Sequence, residues 1–164
     1  MRCGLLLATL VFSVPIAAQT QGGARYGFDV LENKYPQKTP EDTLTSAIKA
    51  IETKKFEYLM AQLADPAYVD KKIEEYKNLF KGKEESRTLL AFERLGKETA
   101  KYFQDDPLLV KDLKRFAKDG MWKKEANKAV CTSKALPGRQ VFMRKIQNRW
   151  FLENKQKELK PSNQ

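Results

Sequence analysis

The sequence predicts an α+β fold in which N-terminal amphipathic helices pack on a C-terminal four-stranded antiparallel meander. Two patterns carry that reading. Before Gly120, apolar residues recur at helical spacing in five segments, three of them opened by proline behind a capping residue. After Gly120, short runs rich in aromatic and β-branched residues are divided by Asn127-Lys128, Pro137-Gly138 and Gln147-Asn148, all turn signals. The length of 164 residues, with 41% hydrophobic and 32% charged, fits one domain with a packed core and a well-solvated surface.

The chain opens with Arg2, then an apolar run through Leu5-Leu6-Leu7, Leu10-Val11-Phe12 and Val14, then small residues to Ala18. A basic start, a short apolar core and a small-residue end make a secretory signal peptide over residues 1–18. The run is shorter than the roughly 20 apolar residues that cross a membrane and contains Pro15, so no transmembrane span is expected after cleavage. The expected location is therefore exported, periplasmic or secreted. Cys131 is then the sole remaining thiol, expected as a small core residue in a strand.

Residues 19–38 hold Gly22-Gly23, Gly27 and Pro36 without a sustained period, and read as a flexible or loosely docked leader, with Tyr26, Phe28, Val30, Leu31 and Tyr35 as the groups available for docking. A single α+β domain is expected over 39–157, with helices in 39–120 and the sheet in 121–157, and a disordered tail over 158–164. Thr39-Pro40-Glu41-Asp42 combines a hydroxyl cap, a proline at the first helical position and acids in the first turn. Leu44, Ala47, Ile48 and Ile51 follow as the buried stripe of the first helix. A short second helix presents Phe56, Leu59, Met60 and Leu63 and stops at Asp65-Pro66, which starts the third helix with Val69, Ile73, Tyr76 and Phe80 inward. The fourth, over about 84–104, is striped by Leu89, Phe92, Leu95, Thr99 and Phe103; Asp106-Pro107 starts the fifth, with Val110, Leu113 and Phe116 inward and Gly120 as its end. Strands are expected near 121–126, 129–135, 139–146 and 149–156, and turns this tight make them antiparallel.

The formal net charge of +10 is unevenly placed. Residues 19–120 hold nineteen Lys and Arg against eighteen Asp and Glu; beyond Gly120 there are eleven against three. The helices carry mixed charges of an ordinary solvated face, whereas the strands interleave Lys123, Lys124, Arg144, Lys145 and Arg149 with aromatic residues. Such interleaving marks either a solvated sheet face or a surface for an anionic polymer. A signal peptide argues against intracellular nucleic acid as the partner and leaves an anionic envelope component, lipid or acidic protein.

With no histidine, the sequence excludes Ser-His-Asp and Cys-His constellations and the HExxH zinc helix; it also lacks a GxGxxG or a phosphate-binding loop. No catalytic residue, metal or cofactor is assigned. A carboxylate-only reaction would fall to Glu153 in the sheet region, since Asp106, beside Asp105, serves better as a helix cap.

The order of elements, with the Thr39-Pro40-Glu41-Asp42 helix start and the closing Gln140-Val141-Phe142-Met143-Arg144-Lys145 and Asn148-Arg149-Trp150-Phe151-Leu152-Glu153 strands, resembles exported bacterial members of the NTF2-like superfamily, which includes SnoaL-like and ketosteroid-isomerase-like proteins. The resemblance implies a cystatin-like layout with a pocket between the sheet and the helices. The chain lacks the Asp-plus-His or Asp-plus-Tyr pocket dyads of the catalytic branches, so the expectation is a non-catalytic binding or accessory module taking a small apolar ligand. Trp122, Val141, Met143, Trp150 and Leu152 are the expected pocket lining. The alternatives are docking through the cationic strands and a small-molecule enzyme using a carboxylate.

Overall fold

The computed structural model describes residues 23–154. The expected signal peptide and the expected tail over 158–164 lie outside the described residues. The elements run α1 (Pro40–Glu52), α2 (Phe56–Tyr58), which continues into a π-helical turn (Leu59–Leu63), then α3 (Pro66–Lys77), α4 (Glu84–Asp105) and α5 (Pro107–Asp119), followed by β1 (Met121–Lys124), β2 (Lys128–Thr132), β3 (Gln140–Ile146) and β4 (Arg149–Leu152). The strands form one antiparallel sheet in the order β1-β2-β3-β4, the expected α+β meander.

Each long helix starts where the chain supplies a side-chain acceptor or an acidic first turn. Thr39 and Asp42 close a reciprocal cap on α1, each side chain accepting from the other's backbone N–H at 3.1 Å. Asp65 and Asp106 accept from Ala67 N and Leu108 N ahead of Pro66 and Pro107. α4 has no side-chain cap and leans on Glu84 and Glu85 in its first turn.

Helix α1 is the centre of the packing. Its Leu44 and Ile48 meet Phe116 of α5 and the sheet residues Ala129, Cys131, Val141, Met143 and Trp150. Its Ala47, Ala50 and Ile51 join a second cluster with the π turn, Val69 and Ile73 of α3, and Ala91, Phe92 and Leu95 of α4. Strand alternation therefore puts the 129, 131, 141, 143 set inward, and Phe142 and Arg144 on the opposite face. Leu89, expected in the α4 stripe, is 55% exposed.

Of the two expectations for the leader, residues 23–38 are docked and not flexible. Arg25 pairs with Asp70 of α3, and Tyr26 donates to the same carboxylate at 2.7 Å while stacking on Phe92 at 4.5 Å between centroids. Tyr35 is 2% exposed and packs on Tyr58, and Ser46 donates to the Pro36 carbonyl at 2.8 Å. Aromatic burial replaces regular hydrogen bonding here, so the segment is ordered without a helical or strand period. Replacement of Tyr35 by alanine should cost about 3 kcal/mol in urea unfolding, whereas a loose leader would give a change near zero.

Gly120 does end α5, but its φ of −75° is open to any residue. Space is what requires glycine: a Cβ there would lie 2.2 Å from the Phe116 carbonyl oxygen and 2.3 Å from Cys131 Sγ. Gly120→Ala is expected to lower stability by about 1–3 kcal/mol, read as a shifted urea midpoint at unchanged slope.

Candidate functional site

The π turn sets the position of the site. Its wider i to i+5 spacing, seen in Ala64 N donating to Leu59 O at 2.8 Å, leads the chain directly into a parallel bridge between Ala64 and Leu152. Asp65 N donates to Leu152 O at 2.8 Å, so β4 is held beside the start of α3. Helices and sheet meet along that seam, and next to it a cleft of about 450 Å³ opens between α3, α4, α5 and the adjoining ends of β3 and β4. Leu59 and Met60 of the π turn, Leu95 and Phe103 of α4, Leu113 of α5, Val141 and Leu152 give it an apolar floor.

Two anchored carboxylates stand among its polar groups. Glu98 accepts from Arg94 Nε at 2.8 Å through Oε1 and from the Tyr76 hydroxyl through Oε2. The Tyr76 bond, reinforced by Arg94, holds Glu98 below the usual carboxylate range, and the same bond raises the Tyr76 phenol above its usual range. Glu153 is 7% exposed and accepts from Arg144 Nε at 2.9 Å; Arg144 Nη1 also lies 3.8 Å from Asp65, itself buried. Thr99, Gln140 and Asn154 complete the polar lining, with Tyr68 and Tyr102 among the aromatic groups.

Of the five residues expected to line a pocket, the structure brings Val141 and Leu152 to the cleft. Met143 and Trp150 are instead 0% and 6% exposed and fill the space against α1 and α5, while Trp122 packs half-buried against the same cluster. The space between the sheet's inner face and α1 is thus filled by large side chains, and the cleft lies at the end of β3 and β4. The helical residues Tyr68, Tyr76 and Tyr102 supply much of the wall, and of these only Tyr76 lay on a stripe expected inward. The available signal was Thr99 on a stripe with Leu95 and Phe103; the facing partner on the sheet had no local marker.

The five basic strand residues are also divided. Arg144 serves Glu153 and Asp65. Arg149 is directed onto the Gln37 side chain and onto Gln62, whose O and Oε1 it meets at 3.1 and 3.0 Å; burial pushes its pKa down from the usual arginine range. Lys124 pairs with Glu41 at 2.7 Å, and Lys145 stands 6.0 Å from the Trp150 ring centroid. Lys123 is exposed and makes no ion pair among the described residues. These side chains do not combine into one free cationic face.

Among the described residues no group of three or more His, Cys, Asp or Glu is placed to hold a metal ion, and no helix is long and apolar enough to cross a membrane. No family model matches the sequence, and no curated protein or solved structure matches it either.

Cys131 is 0% exposed on β2, as expected of a core thiol, and burial pushes its pKa up to about 11, with the Glu41 carboxylate adding to the shift. A raised folded pKa favours the neutral thiol, so its contribution to stability is full below the unfolded value near 9 and is lost as pH rises toward 11. An aromatic disulfide reagent at about pH 8 should leave Cys131 unmodified in the native protein and should titrate it once guanidinium unfolds the chain.

Proposed function

We propose that this protein is an exported, non-catalytic binding module of the NTF2-like type, whose cleft between the helices and the β3–β4 end of the sheet takes a small, largely apolar ligand. The observation that carries this reading is the cleft itself. Its volume of about 450 Å³ falls in the range of small-molecule sites, and a continuous apolar floor with a few convergent polar groups is the composition of such sites. The polar groups are fixed by their own partners before any ligand arrives, which lowers the ordering cost of binding.

The alternative of docking through cationic strands loses Arg144 and Arg149 to internal partners. The alternative of an enzyme centred on Glu153 is left with a carboxylate already engaged by Arg144, an arrangement suited to a fixed anion more than to a proton-exchanging base.

Titration with a neutral, environment-sensitive naphthylamine dye tests the cleft. Saturable one-site binding with a Kd on the order of 10 μM is expected. Thr99→Trp, which projects an indole into the cleft from α4, should weaken it at least about tenfold without lowering the melting temperature. Absence of dye binding, or binding that ignores Thr99→Trp, overturns the assignment.

A further inference from the structure

The ionisable groups that line the cleft differ in sign from the excess charge of the chain, although each is paired with an arginine behind it. The protein carries 31 Lys and Arg against 21 Asp and Glu, yet no Lys or Arg lines the cleft, and the ionisable carboxylates that do are Glu98 and Glu153. Both are presented by rigid elements: Glu98 from the middle of the 22-residue α4, Glu153 directly after β4 with its backbone N–H bonded to Phe142 O at 2.9 Å. Arg94 and Arg144 reach these carboxylates from outside the lining. Each oxygen of Glu98 accepts one protein donor, and a carboxylate oxygen accommodates two.

The walls add a second feature that selects the same sign of charge. The tyrosines Tyr68, Tyr76 and Tyr102 stand around the apolar floor. Ring faces attract cations, and the protein already uses one in that way: Arg94 Cζ and Lys72 Nζ stand 5.1 and 5.9 Å from the Tyr76 ring centroid. An anionic ligand would meet two carboxylates and the negative faces of these rings with no cation among the lining groups to receive it.

We infer that the ligand of this cleft is a cationic amphiphile, an apolar body bearing one ammonium or amine group, with the body on the Leu95–Leu113–Leu152 floor and the cation beside Glu98 and the tyrosine rings. The inference rests on the cleft being a ligand site and specifies the chemistry it selects.

Competition against the bound dye by decyltrimethylammonium, decanol and decanoate, which share a similar tail length and differ in head group, tests it below their micellar concentrations. The ammonium compound is expected to displace the dye about tenfold more tightly than the alcohol, and decanoate more weakly than either. Glu98→Gln should bring the ammonium compound down to the level of the alcohol. Arg94→Gln, which frees Glu98 from its internal cation, should tighten the ammonium compound alone, a result that loss of structure would not produce. Equal affinity of the alcohol, tighter binding of decanoate, or a head-group preference that survives Glu98→Gln overturns the inference while leaving the cleft as an apolar site. Failure of the dye and all three competitors overturns the cleft assignment and this inference with it.

Discussion

The outer edge of β4 is the constraint on which the rest of the structure depends. A final strand exposes a row of unpaired backbone groups, and among the described residues no fifth strand covers them. The chain closes the edge with two segments from its N-terminal half. Gln37 exchanges both kinds of bond with Trp150, its carbonyl accepting from Trp150 N at 3.0 Å and its side-chain amide donating to Trp150 O at 2.8 Å. Further along, Asp65 N takes Leu152 O. Arg149 sits across the join and donates to Gln37 and Gln62, both almost wholly buried, so that a guanidinium lacking a carboxylate partner among the described residues is solvated by amides instead.

That closure explains features that otherwise look unrelated. The π turn is needed because an ordinary α-helical turn would rotate the buried Gln62 away from Arg149 and from the Phe28 carbonyl, to which its amide donates at 2.6 Å. The ordered leader is needed because it delivers Gln37. The cleft follows as well: with β4 fastened to the beginning of α3, the remainder of α3, α4 and α5 passes beside the sheet end without filling the angle between them. The site is a by-product of how the sheet is finished.

The sequence made the helix starts and the meander legible because both are local chemistry. Thr39-Pro40, Asp65-Pro66 and Asp106-Pro107 declare themselves within four residues, and the break between β2 and β3 falls at Pro137-Gly138, where Gly138 adopts a left-handed φ of 80°. The leader was illegible for the opposite reason: Tyr26, Phe28 and Tyr35 are spaced for no helix or strand, and their burial depends on Phe92 and Tyr58 far along the chain. The site was half legible. Alternation left Val141 and Met143 in competition with Phe142 and Ile146 for the inward face, and only the packing of α1 and α5 decided that Met143 and Trp150 become core while Val141 and Leu152 reach the cleft. The basic residues left two readings open, a solvated sheet face and an anion-binding surface, because charge counting ignores partners. Arg144 and Arg149 look like surface charge in sequence and are cross-links in the fold.

The clamp on β4 also fixes an order of events in time. Gln37 and Trp150 stand 113 residues apart, while helices α3 and α4 contact across a single short connection. Closing a long loop costs more entropy than closing a short one and yields its bonds only at the end, so the helical layer has its contacts available before the strand that completes the sheet has any. The last strand works as a latch: Gln37 finds its partner only once the last dozen described residues are present, and a ribosome that still retains those residues retains the protein in an unlatched state.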